Sequence, residues 1–232
     1  MALGSGCAGY TPPSGRADFT AFSSASMQQS FAAKPAAVFP AYIAAVRIQA
    51  PAYHNFYTER EGGVFGYGRY SVVTAKDVEE ESDIERIAKL SQVGGLVSIS
   101  TLLLPENLKS DQELREAAAR LKADMVLLYT FDTSFYNNDA SVALNVVTLG
   151  LTPTRRVSVR VTASALLMDT RTGFIYTALE ATEKKDLISN VWESGESADR
   201  ARRNAEKAAF KALVDELEKS WPQVIERAKQ GA

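Results

Sequence analysis

Residues 157–168, VSVRVTASALLM, alternate without a break: Val157, Val159, Val161, Ala163, Ala165 and Leu167 fall on one side, Ser158, Arg160, Thr162 and Ser164 on the other. A period of two sends successive side chains to opposite faces of an extended strand, so the apolar set must be covered. The next residues, DTRTG (169–173), predict a turn whose Gly173 takes positive φ, and FIYTALEATEK (174–184) returns as the partner strand. An antiparallel hairpin of this length needs a cover for its apolar face. Residues 196–220 offer one: Ala201, Ala205, Ala208, Ala209, Ala212, Leu213 and Leu217 form a helical stripe about as wide as packing on a sheet requires.

Upstream, strands and helices alternate. VFPAYIAAVRIQAP (38–51) reads as a strand ended by Pro51, AYHNFYTEREGGVFGYGRY (52–70) as a long loop, and YSVVTAKD (70–77) as a second strand rich in β-branched residues. Ser82–Glu85 and Ser110–Glu113 both fit a capping box. Ile84, Ile87, Ala88 and Ser91 follow the first at helical spacing, and Leu114, Ala117, Ala118 and Leu121 the second. GGLVSISTLLLP (94–105) predicts a buried strand, and ADMVLLYTFDTSF (123–135) a strand covered on both faces. The expected fold is α/β: one three-layer domain over 38–222, a mixed sheet with helices on its faces, and a tail over 223–232.

Residues 8–37 are mostly Ala, Ser, Gly and Pro with scattered phenylalanines, and bury too little apolar surface to offset the entropy of ordering; they predict a disordered, mostly extended tether. The net charge of −2 supplies no positive field for nucleic acid, so no nucleic-acid partner is expected. No stretch approaches the roughly 18–20 uninterrupted apolar residues of a spanning helix. One cysteine, Cys7, makes no internal disulfide, and one histidine, His54, leaves little for a zinc site or catalytic dyad. Neither cofactor nor metal is expected, and no nucleophile elbow or phosphate loop marks an enzyme.

Other features have two readings. GGVFGYG (62–68) precedes a strand instead of a helix, which favours a flexible aromatic loop over a phosphate cradle. The acidic run Asp77, Glu79, Glu80, Glu81, Asp83 and Glu85 suits a solvated helix start. SVALNVVTLGLTP (141–153) reads as a core strand or as an exposed apolar patch for association. Arg155 and Arg156 read as solvated turn residues or as contacts for an anionic group.

Gly4-Ser5-Gly6-Cys7, with Leu3 upstream, resembles the end of a bacterial lipoprotein signal, in which a peptidase cuts before a cysteine that is then acylated. Leu3 stands four residues before Cys7, where the usual pattern has three. Residues 1–37 are thus expected to be the remnant of a truncated signal followed by the tether, with Cys7 as the lipidation site. Ala8 after the cysteine resembles proteins sorted to the outer membrane. LREAAARLKADMVLLYTFDTSF, then VSVRVTASALLMDTRTGFIY and the Ala-rich helix, is similar to periplasmic lipoproteins of the curli-secretion (CsgG-like) superfamily, through Ala123-Asp124 before a buried strand and Asp169–Gly173 closing another. The resemblance implies an anticodon-binding-domain-like fold and a non-enzymatic envelope role.

The leading expectation is a lipid-anchored protein on the periplasmic face of the outer membrane. It would bind an envelope partner or another copy of itself through the sheet edge, the 52–70 loop or segment 141–153. The alternative is a small-ligand binder or envelope enzyme using a cleft near that loop. Candidate contacts are Tyr53, His54, Tyr57, Phe65, Tyr67, Arg69, Arg155 and Arg156.

Overall fold

The computed structural model describes residues 10–138, 156–188 and 195–230. In chain order the elements are α1 (Phe19–Phe22), α2 (Met27–Ala32), β1 (Ala41–Gln49), α3 (Thr58–Glu61), β2 (Val64–Phe65), β3 (Tyr67–Gly68), β4 (Ser71–Val73), α4 (Glu81–Ala88), β5 (Val93–Ser98), β6 (Asn107–Leu108), α5 (Asp111–Arg120), β7 (Met125–Asn138), β8 (Arg156–Asp169), β9 (Ile175–Ile188) and α6 (Gly195–Lys229). Cys7, segment 141–153 and Arg155 lie outside the described residues.

Among the described residues, seven strands form one mixed sheet ordered β2-β4-β1-β7-β8-β9, with β5 also paired to β1. The alternating segment is β8, antiparallel to both β7 and β9, and Gly173 in the turn has φ 71°. Val159, Val161, Ala163, Ala165 and Leu167 are buried together with Ala205, Ala209, Leu213 and Leu217 of α6, so the two predicted stripes meet. On the opposite face Leu114, Ala117 and Ala118 of α5 pack with Ala44, Val46 and Ile48 of β1 and Val126 and Leu128 of β7. The central strand β7 therefore buries side chains on both faces, which its nearly continuous apolar sequence requires.

The capping box of α5 forms as expected, with Ser110 accepting at the helix start and the Glu113 carboxylate accepting from the Ser110 N–H. Ser110→Ala is expected to lower stability by about 1 kcal/mol in urea unfolding. The box predicted at Ser82 does not form. The N-cap of α4 is Glu80, two residues earlier, and no side chain caps it. The acidic first turn and packing of Ile87 on the core place this helix instead.

Three other expectations change. β5 is an edge strand and half exposed, because β1 already carries β7 on its other side. The 223–232 tail is largely helical: α6 continues through Pro222 to Lys229, held by buried Trp221, Val224 and Ala228 and by the Trp221 indole N–H on the Ser91 carbonyl at 2.8 Å. That packing outweighs the hydrogen bond a helical proline removes.

The stretch expected as a free tether is laid on the domain from Tyr10 onward. The Phe56 N–H donates to the Thr11 carbonyl and the Ala50 N–H to the Gly15 carbonyl. Ala17 is buried and donates to Thr130 Oγ1 at 3.0 Å. Ser24 bonds Asp111, and the Ala36 N–H bonds Asp169. Composition fails here because backbone groups, which every residue carries, make most of these attachments.

Candidate functional site

The 52–70 loop does not gather its candidate residues into one cleft. Tyr53 is buried, with its hydroxyl accepting from Asn55 Nδ2 at 2.9 Å, and burial raises its pKa. His54 is exposed, its ring against the Ala52 carbonyl. Tyr57 is half buried beside Arg203, and Phe65 packs on the α5 side of the core. Tyr67 is exposed, and Arg69 donates to the Ala21 carbonyl of the docked N-terminal segment. Arg156 opens β8 at the register position facing Ile188. Gly63, Gly66 and Gly68 of this loop serve close packing: Gly68 has φ 121°, and a Cβ there would collide with the Leu108 carbonyl on β6.

The polar residues that converge come from elsewhere. Arg47 in β1 is 2% exposed and Arg202 in α6 is fully buried. Asp77, in the connection between β4 and α4, joins them: Arg47 Nη1 donates to its Oδ1 at 3.0 Å and Arg202 Nη2 to its Oδ2 at 2.7 Å. Arg202 also bonds Asp199 at 2.9 Å and Glu206 one helical turn on either side. Glu206 accepts from Thr133 Oγ1 on β7 at 2.8 Å, and the Arg47 guanidinium lies 4.7 Å from the centre of the Phe131 ring. Burial alone would raise the Asp77 pKa, but Arg47 and Arg202 outweigh it and hold the carboxyl below its ordinary value. At Glu206 burial prevails over the same two cations, and the pKa is raised. The acidic run was expected at a solvated helix start; Asp77 and Glu79 turn inward because two arginines wait there.

The sequence carried a signal for this cluster. Arg47 interrupts an apolar strand, and Arg202 and Glu206 sit beside the alanine stripe of α6; charges at such positions need partners.

Beside the network a cavity of about 630 Å³ opens where β5 and β4 part company along one edge of β1. β5 pairs as far as Ala45 and β4 begins at Arg47. Val72, Val73, Leu96, Val97 and Ile99 supply apolar walls, with Ile84 of α4 nearby. Arg47, Glu79 and Tyr129 line its inner end, and the Tyr129 hydroxyl donates to Glu79 Oε1 at 3.0 Å. Burial pushes the Tyr129 pKa well up, and the adjacent Glu79 adds to the rise, so this hydroxyl stays a donor. Lys76 and Glu81 stand at the exposed rim. Chemically the cavity combines aliphatic walls, interrupted by Thr74, Ser98, Ser100 and Thr101, with a fixed polar end.

The two motifs that carried the family resemblance come together at the other end of the sheet. Arg171 of the 169–173 turn donates to Asp124 at 3.0 Å, and Asp124 also accepts from the Tyr42 N–H at 3.1 Å.

No protein-family model matches the chain, and no curated protein does. Among solved structures, the chain is similar to a DUF330-family protein from Xanthomonas campestris at 12% identity and TM-score 0.41, covering 84% of this chain and 95% of that one. A neuraminyllactose-binding hemagglutinin homolog from Helicobacter pylori gives 11% and 0.40, covering 85% and 92%. A minor lipoprotein from Acinetobacter baumannii gives 9% and 0.36, covering 83% and 96%.

Proposed function

We propose that this protein is a non-enzymatic binding component of the bacterial envelope, anchored to the periplasmic face of the outer membrane by acyl chains on Cys7. The single observation that carries the binding role is the cavity between β4 and β5, with apolar walls and a polar end made by Arg47, Glu79 and Tyr129. The network behind it supports binding over catalysis, since its carboxylates are engaged with arginines and hold β1, α6 and the Asp77 connection in place. The anchor rests on the Gly6-Cys7 pair and its resemblance to lipoproteins, the curli-secretion superfamily included. No described helix is long and apolar enough to cross a membrane, so acyl chains would supply the attachment.

Docking of the N-terminal segment changes what such an anchor does. Only two residues, Ala8 and Gly9, separate Cys7 from Tyr10, which packs against Phe56 and Phe135. Fully extended, the three peptide steps from Cys7 to Tyr10 reach about 10 Å. The domain would therefore sit close against the bilayer, with the Tyr10 and His54 end toward it, where a free thirty-residue tether would let it roam. The test is metabolic labelling with palmitate in a bacterial host expressing the chain behind a lipoprotein signal. Label is expected on the wild type and in the membrane fraction; Cys7→Ser is expected to lose both. Label that persists in Cys7→Ser, or a wild type without label, overturns the anchor.

A further inference from the structure

Resting on the binding role proposed above, we propose that the cavity between β4 and β5 takes a small amphiphile with an apolar body and an uncharged head that both donates and accepts a hydrogen bond: a hydroxyl or an amide. The volume of about 630 Å³ lies within the range of small-molecule sites, and valine, leucine and isoleucine supply the apolar part of walls that also include Thr74, Ser98, Ser100 and Thr101. The head is specified by two of the side chains that line the cavity. Arg47 Nε, a donor, and Glu79 Oε2, an acceptor, are both buried without a hydrogen-bond partner. Their side chains are 1% and 7% exposed and adjacent, Arg47 Nη1 lying 3.8 Å from Glu79 Oε1. Buried polar groups in folded proteins are satisfied, and an unmatched donor and an unmatched acceptor on two adjacent cavity-lining side chains ask for one group that complements both. A hydroxyl accepts from Arg47 Nε and donates to Glu79 Oε2; an amide does the same with its carbonyl and N–H.

A charged head fits worse on either sign. An anion would meet Glu79 with Asp77 and Glu206 close behind, and these carboxylates already occupy the rest of the Arg47 guanidinium. A cation would pair with Glu79 but leave Arg47 Nε unmatched and face a buried guanidinium. Burial of a charge without a complete set of partners is costly, so the selection falls on neutral heads.

The test titrates the full chain with 1-octanol, octanamide, octanoate and octylammonium by calorimetry and by amide chemical shifts. Octanol and octanamide are expected to bind at least tenfold tighter than the two ions, with shifts centred on residues 72–76 and 96–99. Val97→Trp places bulk on a half-exposed wall away from the ion network; it is expected to weaken octanol at least tenfold with an unchanged melting temperature. Glu79→Gln replaces the carboxylate with a neutral group that also donates; it is expected to narrow the octanol preference over octanoate at least fivefold. Equal affinity for all four heads, shifts at another surface, or octanol binding untouched by Val97→Trp overturns the assignment, as does a cavity that binds none of them and holds only water. These outcomes leave palmitate labelling of Cys7 unaffected, so failure of the ligand assignment is read separately from failure of the anchor.

Discussion

Arg202→Met is expected to lower stability by about 3–5 kcal/mol at pH 7 in urea unfolding, and the loss should shrink as the pH is brought toward 4. Arg202 donates to Asp77, Asp199 and Glu206, and it and those partners are almost wholly removed from water. A methionine keeps the apolar stem in its packing and deletes the guanidinium with its charge and its N–H donors. Three buried carboxylates then lose their shared cation, which costs far more than an exposed pair would.

The pH dependence follows from the direction of each shift. In the wild type Asp77 is held below its ordinary pKa, so it contributes stability at neutral pH that is lost as the pH falls through its folded value. Glu206 is raised, has the opposite sign, and favours the folded state in its protonated form. Removing Arg202 takes away an attraction that lowers both, so both folded-state values rise. A raised carboxyl costs stability above its folded pKa and none once both states are protonated. The deficit is therefore largest at neutral pH and recedes in acid. A loss under 1 kcal/mol, or one independent of pH, would show that Asp199 and Asp77 are satisfied by other means.

The second large effect belongs to Asp169. Its carboxylate is buried and accepts from the Ala36 N–H at 2.7 Å, the Tyr176 hydroxyl at 2.8 Å, the Arg171 N–H at 2.9 Å and the Thr172 N–H at 3.0 Å. Two of these bonds close the β8–β9 turn, one fixes Tyr176, and one holds the N-terminal segment. Asp169→Ala is expected to cost about 3 kcal/mol, since it deletes charge-assisted bonds and strands donors around the deleted carboxylate. It should also speed amide hydrogen exchange over residues 34–37 at least tenfold, which Ser110→Ala should not do. Unchanged exchange there would mean that the Lys34 and Ala36 carbonyls, bonded by Thr172 and Arg171, hold the segment without Asp169.

Several elements were legible in the sequence because their signals are local. The alternation of β8, the glycine of its turn, the capping box at Ser110 and the stripe of α6 each act over a few residues, and each reappears in the structure. Legibility failed at Ser82, where a matching motif lost to the packing of Ile87 and Ile84 on the core. It failed again for residues 10–37, whose composition says nothing about backbone hydrogen bonds to β1 and the turn before α3. The 52–70 loop is aromatic and glycine-rich, as a cleft would be, but its Gly63 and Gly68 fit close backbone approaches and Tyr53 fills the interior.

By itself, then, the sequence determined the hairpin, the two-faced central strand, the covering helix and hence a layered α/β domain, because hydrophobic period and capping are properties of neighbours along the chain. The tertiary structure alone decided where the cavity lies and which charges meet beside it. Arg202 and Asp77 are separated by 125 residues and Arg47 and Glu206 by 159, and their pairing exists only once β1, the Asp77 connection and α6 have packed. A charge in an apolar stripe announces that it needs a partner, but only the fold, by excluding water from that one place, selects the partner.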